Sequence, residues 1–424
     1  MNILLINHYA GSPEMGMEFR PYYFAREWIK MGHRVDIIAA DYSHLRRINP
    51  GVSKDFQEEM IDGIHYHWIK TGEYEGNGVK RAVTMAKFVA KLWLHAGKII
   101  RELDPDVVIC SSTYPLDTYV GQRIRRKSGK KVKLIHEVHD LWPLTLIELG
   151  GMSRKNPFII VLQIGENSAY KNSDTVVSLP PLAKKYMMDH GMEEKKFVEI
   201  PNGIVLEDWG TPEELPEFHR KVIDDLKEQG KYIVGYFGGH ALSNALEVLI
   251  DCAEQINDTA VQFLLVGDGV EKKNLIKMAK EKKLKNITFL DPISKKAIPT
   301  LCKSLDVIYL GSKKSPLYRF GLSMNKIIDG FMSGKPIICA ITTPESPISE
   351  YNCGIMVDSM DVSGIISAIE SIKKMDSEEL SALKQRAQTL AIEKYSYDKL
   401  SKKFEKCFEI RGGYCNERRT VEKN

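Results

Sequence analysis

Between residues 311 and 338 the chain reads GSKKSPLYRFGLSMNKIIDGFMSGKPII, and these residue types suit phosphate binding. Ser323-Met324-Asn325-Lys326 is a polar turn, after which Ile327, Ile328 and Phe331 recur at helical spacing. Ser323 or Asn325 is a natural N-cap, and Gly334 followed by Pro336 closes the helix before an apolar strand-like run. A helix that begins at a lysine-bearing loop offers an anion free backbone N–H groups, a positive dipole end and an ammonium. The same unit also occurs as plain architecture, so its neighbours decide. Gly238-Gly239 with Asn244 follows an apolar run at 233–237, Gly267-Asp268-Gly269 follows one at 262–266, and Asp291-Pro292-Ile293 follows one at 287–289. That order fits a nucleotide laid along one sheet edge, with phosphates at Gly238, Gly239, Asn325 and Lys326 and the base at Asp291 and Ile293.

The first half offers two further loops. The run at 3–6 leads into a segment bearing Gly11, Gly16, Glu18 and Arg20. Its glycines would let a phosphate or sugar approach the backbone, and Arg20 either clamps a phosphate or is simply solvated. No GxGxxG is present there, which argues against a dinucleotide-dependent oxidoreductase. The run at 133–135 opens into His136-Glu137-Val138-His139-Asp140-Leu141-Trp142-Pro143. The spacing is HExH at a strand end rather than the helical HExxH of a zinc site, and alternation sets Glu137 beside His139, so no metal is expected. A neutral histidine and a carboxylate suit sugar hydroxyls; Asp140 alternatively caps the next helix. Pro201-Asn202-Gly203 reads as a turn without chemistry.

All these loops need a scaffold that brings strand ends to one edge. Short apolar runs at 3–6, 35–39, 107–110, 133–135, 175–177, 198–200, 233–237, 262–266, 287–289, 307–310 and 336–339 alternate with amphipathic helices. Uniformly apolar strands are those of parallel sheets covered on both faces. The rhythm restarts at Tyr232 after a polar stretch, and 424 residues exceed one ordinary core. The expectation is an α/β chain of two doubly wound Rossmann-like domains facing across a cleft, at residues 1–205 and 206–394. A helix at 395–412 would pack back on the first domain, and 413–424 would be a disordered tail. The net charge is +4, all of it in residues 1–205, too little for a nucleic-acid binder. Seven scattered cysteines without a CxxC pair suit a reducing compartment. The N-terminal run is one strand long, with no basic region or cleavage site, and no run reaches a membrane span. Residues 79–100 read as a basic amphipathic helix, either interfacial on an anionic membrane or an ordinary domain helix with Trp93 in the core.

Taken together, HEVHDLWP, IPNGI, YFGGH, FLLVGDGVEKKNL, ITFLDPI and GLSMNKIIDGFMSGKPII resemble a glycosyltransferase of family 4 with the GT-B fold over nearly the whole chain. Asp140-Leu141-Trp142-Pro143 with Ser323-Met324-Asn325-Lys326 is similar to the bacterial subgroup that transfers sugars such as L-fucosamine in O-antigen and capsule assembly. The resemblance implies a retaining enzyme whose second domain binds a nucleotide-diphospho-sugar, UDP-linked by analogy, and whose first domain binds a saccharide or polyprenyl-diphosphate-saccharide. It implies Lys326, His139, Asp140 and Glu137 as catalytic residues. Gly238, Gly239, Asn244, Gly267, Asp291, Ile293, Arg319, Ser323, Asn325 and Asp329 would bind the donor, and Gly16, Glu18 and Arg20 would form the acceptor-side loop. No cofactor, metal or nucleic acid is expected, and the implied location is the cytoplasm, at the inner face of the plasma membrane if residues 79–100 bind lipid. The family's pair of glutamates eight positions apart falls here on Gly321 and Asp329, so the first carboxylate is missing. A nucleotide-sugar 2-epimerase and an inactive sugar-nucleotide scaffold are the alternatives.

Overall fold

Runs that are apolar at every position form the central strands, because each is covered on both faces. The computed structural model describes residues 1–16, 19–76 and 78–409. In the first half lie β1 (Asn2–Ile6), β2 (Arg34–Ala40), β3 (Gln57–Ile61), β4 (Ile64–Ile69), β5 (Val107–Cys110), β6 (Lys133–Val138), β7 (Thr175–Ser178) and β8 (Phe197–Glu199). The second half contributes β9 (Tyr232–Phe237), β10 (Val261–Val266), β11 (Ile287–Leu290), β12 (Val307–Gly311), β13 (Ile337–Ala340) and β14 (Gly354–Val357). They build an 8-stranded sheet in the order β3-β4-β2-β1-β5-β6-β7-β8 and a 6-stranded sheet in the order β11-β10-β9-β12-β13-β14. Among the described residues, the only antiparallel strand pair of these sheets is β3–β4. The fold is thus two parallel α/β domains.

Strands β3, β4 and β14 are absent from the apolar-run reading. The β3–β4 turn is Asp62-Gly63, both residues with positive φ (50° and 81°), which is the two-residue hairpin signal. It was hidden because β3 is polar and half exposed. The expected helix over 79–100 is broken at His95 into Val79–Leu94 and Ala96–Leu103. Its Phe88 and Leu92 are fully buried against the sheet, so that stripe is unavailable to a membrane. Trp93 is not in the core: it is 39% exposed, with the Arg123 guanidinium 3.5 Å over its ring. Among the described residues, no helix is long and apolar enough to cross a membrane.

The chain crosses between domains twice, and the crossings lie side by side. Ile204 N donates to Tyr395 O at 2.8 Å, and Tyr397 N donates to Ile204 O at 3.1 Å. Ser396 is extended and breaks the last long helix into Ser377–Tyr395 and Tyr397–Glu405. Tyr397, Leu400, Phe404 and Phe408 then bury themselves among Tyr23, Phe24 and Trp28 of the first domain. The return of this helix to the first domain follows from that aromatic face. Residues 410–412 and the expected tail at 413–424 lie outside the described residues.

Candidate functional site

At the C-terminal edge of the second sheet, β9 ends in Tyr236-Phe237 and turns at Gly238, whose φ is +124°. Helix Asn325–Ser333 begins opposite this turn and sends Lys326 onto it. The Lys326 Nζ donates to the Tyr236 hydroxyl at 2.7 Å and sits 4.3 Å from the centre of its ring. The same hydroxyl donates to Gly239 O at 2.6 Å, and Asn244 Nδ2 donates to that oxygen at 2.6 Å. A Cβ on Gly238 would lie 2.7 Å from the ammonium, so only glycine allows this approach. Burial pushes the Lys326 pKa down to about 8, partly opposed by Asp329. The helix is capped by Met324, in extended conformation and without a side-chain bond, rather than by Ser323 or Asn325. Its first N–H groups therefore have no side-chain cap.

Backbone packing fixes this edge. Gly267 has φ +152°, and a Cβ there would lie 1.9 Å from Gly238 O. Lys272 Nζ donates to Gly267 O, Leu290 O and Asp291 Oδ1 at 2.9, 3.0 and 2.7 Å, tying the loops after β10 and β11 together. Asp291 thereby spends its carboxylate on Lys272 while remaining exposed. Ile293 packs half-buried against the domain core. His240 is fully buried with neither ring nitrogen partnered among the described residues, and burial lowers its pKa to about 4. Gly267→Ala should destabilise the protein by about 2–4 kcal/mol, because the positive φ and the backbone overlap both oppose a side chain. Chemical denaturation measures this, and a change below about 1 kcal/mol would show that the turn relaxes freely.

Asp329 lies three residues after Lys326 on the same helix. Burial raises its pKa to about 6, and its charged surroundings include Lys295 and Asp208 beside the domain crossing as well as Lys326. Arg319 reaches across to the first domain. Its guanidinium makes a bidentate pair with Glu148 of the first domain, at 2.8 and 2.7 Å, and covers the Phe320 ring. Ser323 accepts a bond from Asn202 Nδ2 on its carbonyl at 3.2 Å, while its buried hydroxyl lacks a partner among the described residues.

The first-domain residues divide into two roles. Glu137 is buried beneath the surface: its Oε1 accepts from Arg20 Nε and Nη2 at 3.0 and 2.9 Å, and its Oε2 accepts from Ser111 Oγ at 2.5 Å. Burial opposes ionisation, but the Arg20 guanidinium and the His139 and Ser111 bonds overcome it and hold Glu137 well below the usual carboxylate range. Arg20 is therefore an internal tie rather than a phosphate clamp; it also donates to Ile200 O and Pro201 O at 2.9 and 2.5 Å. His139 Nε2 lies 3.2 Å from Glu137 Oε2 and 2.8 Å from Ser111 Oγ, which orients the ring. Asp140 Oδ1 accepts from Leu141 N and Thr145 Oγ1, the helix-start role. Gly16 has φ +92° and its loop is pinned by bonds to Arg47 and Ile48. Glu18 lies outside the described residues.

His139, Asp140 and Asn202 nevertheless face Gly321, Leu322, Ser323 and Met324 across an interdomain cavity of about 330 Å³. That size and its mixed lining suit a small polar ligand. Lys326 is the second residue of the helix that follows this wall. Tyr236 and Asn202 were missed as site residues, because each looks like an ordinary strand or turn position until its partner arrives from a distant segment.

Comparison with known proteins agrees with this architecture. Residues 15–208 match the Glycosyltransferase Family 4 model and residues 219–390 match the Glycosyl transferases group 1 model. The putative colanic acid biosynthesis glycosyl transferase WcaI of Escherichia coli K12 is 27% identical over 192 residues, 44% of this chain and 46% of that protein. The match thus spans about half the length of that relative. Sucrose-phosphate synthase from Thermosynechococcus elongatus superposes with a TM-score of 0.71 at 15% identity, covering 96% of this chain and 98% of that one. Anabaena HepE in complex with UDP and glucose superposes with a TM-score of 0.63 at 17% identity, with the same coverage. Two adjoining sequence models and a shared two-sheet architecture lead to one assignment: this chain belongs to the family 4 glycosyltransferases of the GT-B fold.

Proposed function

We propose that the chain transfers a sugar from a UDP-linked donor to a saccharide or polyprenyl-diphosphate-linked saccharide in bacterial surface-polysaccharide assembly. The observation that carries this reading is the Lys326 ammonium held against the Gly238-Gly239 turn at the start of an uncapped helix. In the reaction the bond between the anomeric carbon and the diphosphate oxygen breaks, and the acceptor oxygen bonds that carbon. The acceptor proton passes to the departing diphosphate, on the same face, so configuration is retained. Negative charge grows on the leaving oxygens, where Lys326, the helix dipole and backbone N–H groups can meet it without a metal. The complex of HepE with UDP and the colanic acid relative support the donor and the pathway class. The second-domain wall of the cavity carries no carboxylate among its lining residues, which disfavours an epimerase needing acid–base groups there.

A thermal-shift screen against UDP, GDP, TDP, ADP and CMP, with Lys326→Ala in parallel, tests the reading. Stabilisation by one nucleoside diphosphate that the variant loses is the expected result, and no shift with any of them overturns it. A pH series adds a second test. Only the ammonium form of Lys326 attracts the diphosphate, and bound diphosphate favours that form. UDP affinity should therefore hold steady below about pH 7 and weaken as pH rises through about 8, by up to about tenfold per unit. Affinity that stays flat from about pH 6.5 to 9.5 would remove Lys326 from the phosphate site.

A further inference from the structure

At the opposite edge of the first sheet, where β6, β7 and β8 begin, lies a cavity of about 1010 Å³ that the transfer reaction does not use. Its lining holds nine basic side chains against three acidic ones, a local excess of +6. The whole chain carries only +4, so everything outside this cavity is net acidic. Such concentration of one sign in a concave site focuses the field and gathers counter-charge.

Part of the basic charge is already matched. Arg125 pairs with Asp174 at 3.2 Å, Lys130 turns to Asp104 and Asp106, and Lys195 and Lys196 share Glu193. The rest is not. Lys131, Lys171, Lys403 and Lys406 line the cavity with no side-chain partner among the described residues. They come from three separate parts of the chain: the approach to β6, the end of helix Pro157–Asn172, and the crossover helix with the residue that follows it. Four ammonium groups brought together from such distances repel one another in the empty protein, and a single ligand with several negative charges relieves all of them at once.

We propose that this cavity binds a ligand bearing several phosphates, bridging the first domain to the crossover helix. An apolar or zwitterionic ligand would leave the four ammonium groups unmatched, and a monoanion would satisfy only one or two. The residues after 409 do not supply the charge, since IRGGYCNERRTVEKN is itself net basic. A phosphate-rich ligand has two sources, a free polyphosphate or the headgroups of an anionic lipid surface.

Calorimetry with inorganic tripolyphosphate and sedimentation with phosphatidylglycerol-containing vesicles separate these sources. Both use the full chain, Lys171→Glu/Lys406→Glu, and Lys326→Ala. Reversing two charges should weaken binding about tenfold or more, while Lys326→Ala leaves it unchanged. Calorimetric binding that follows this pattern identifies a free polyphosphate. Vesicle binding that follows it, without a calorimetric signal, identifies the headgroup source. Absence of both, or binding that the double variant retains, overturns the proposal. Binding lost only in Lys326→Ala would place the anion in the interdomain cleft and overturn it equally. The double variant changes exposed or half-exposed lysines, so an unchanged ligand-free melting temperature confirms that it folds.

Discussion

Lys326→Ala should lower kcat by about 10²–10³-fold, as expected when a charge-stabilising donor is removed from a leaving group. Its melting temperature should stay within about 3 °C of the parent. The two expectations are linked by the burial that lowers the Lys326 pKa to about 8. A buried ammonium without a carboxylate partner opposes folding, so its removal offsets the lost packing of its stem. Its position against Tyr236 and Gly238 is therefore an electrostatic cost that an anion bound there would offset. Lys326→Arg should not rescue activity, because the space between the Tyr236 ring and the Gly238 backbone does not admit a guanidinium fork. Tyr236→Phe keeps the ring but frees both Lys326 Nζ and Gly239 O from their shared hydroxyl. A smaller loss, about tenfold, follows if that hydroxyl only positions the ammonium. Steady-state kinetics with a confirmed donor provides the measurement. An unchanged kcat in Lys326→Ala would remove it from the leaving-group site.

The meeting of Lys326 with Gly238 was legible because it depends on a rule of the architecture. Parallel strands with crossover helices put every strand's C-terminal loop on one edge, so loops far apart in sequence become neighbours. The periodicity of 327, 328 and 331 placed the helix, and Gly334 closed it with φ +68°. What was not legible depends on individual long-range pairs. Nothing near Arg20 announces that its partner is Glu137, and nothing in Pro201-Asn202 shows that the carbonyl of Pro201 meets Arg20 while the amide of Asn202 meets the cleft wall. Asp140, Arg319 and Asp291 have the right types and lie at the right edge. Their charged groups also make a helix-start bond or an ion pair that no local sequence signal announces.

These pairs also join the domains. Arg319–Glu148 crosses the cleft mouth, Leu182 N donates to Phe320 O, and Asn202 bonds Ser323. Most are exposed or backbone-mediated and individually weak, which suits a cleft that opens and closes around a donor. The buried Arg20 group is different in kind. It anchors the first crossing segment, through Ile200 O and Pro201 O, to the same carboxylate that orients His139.

Removing that anchor should give the largest stability loss of any single substitution considered for this protein. Arg20→Met leaves Glu137 buried, 2% exposed, without its cation, and should cost about 3–5 kcal/mol at pH 7. The pH dependence has a definite sign. Glu137 titrates far below its ordinary value of 4.5 in the folded parent, so its stabilisation is complete above that pH and fades as pH falls below it. In Arg20→Met the desolvated carboxyl instead takes up a proton more readily, so the gap between parent and variant should narrow toward pH 4. Arg20→Met/Glu137→Met should recover part of the loss, since no lone charge is then left buried. Urea denaturation at pH 7 and pH 4 on the three variants measures each step. A loss under about 1 kcal/mol at pH 7, or a gap that widens in acid, would mean that water reaches Glu137 and that the crossing is held by other contacts.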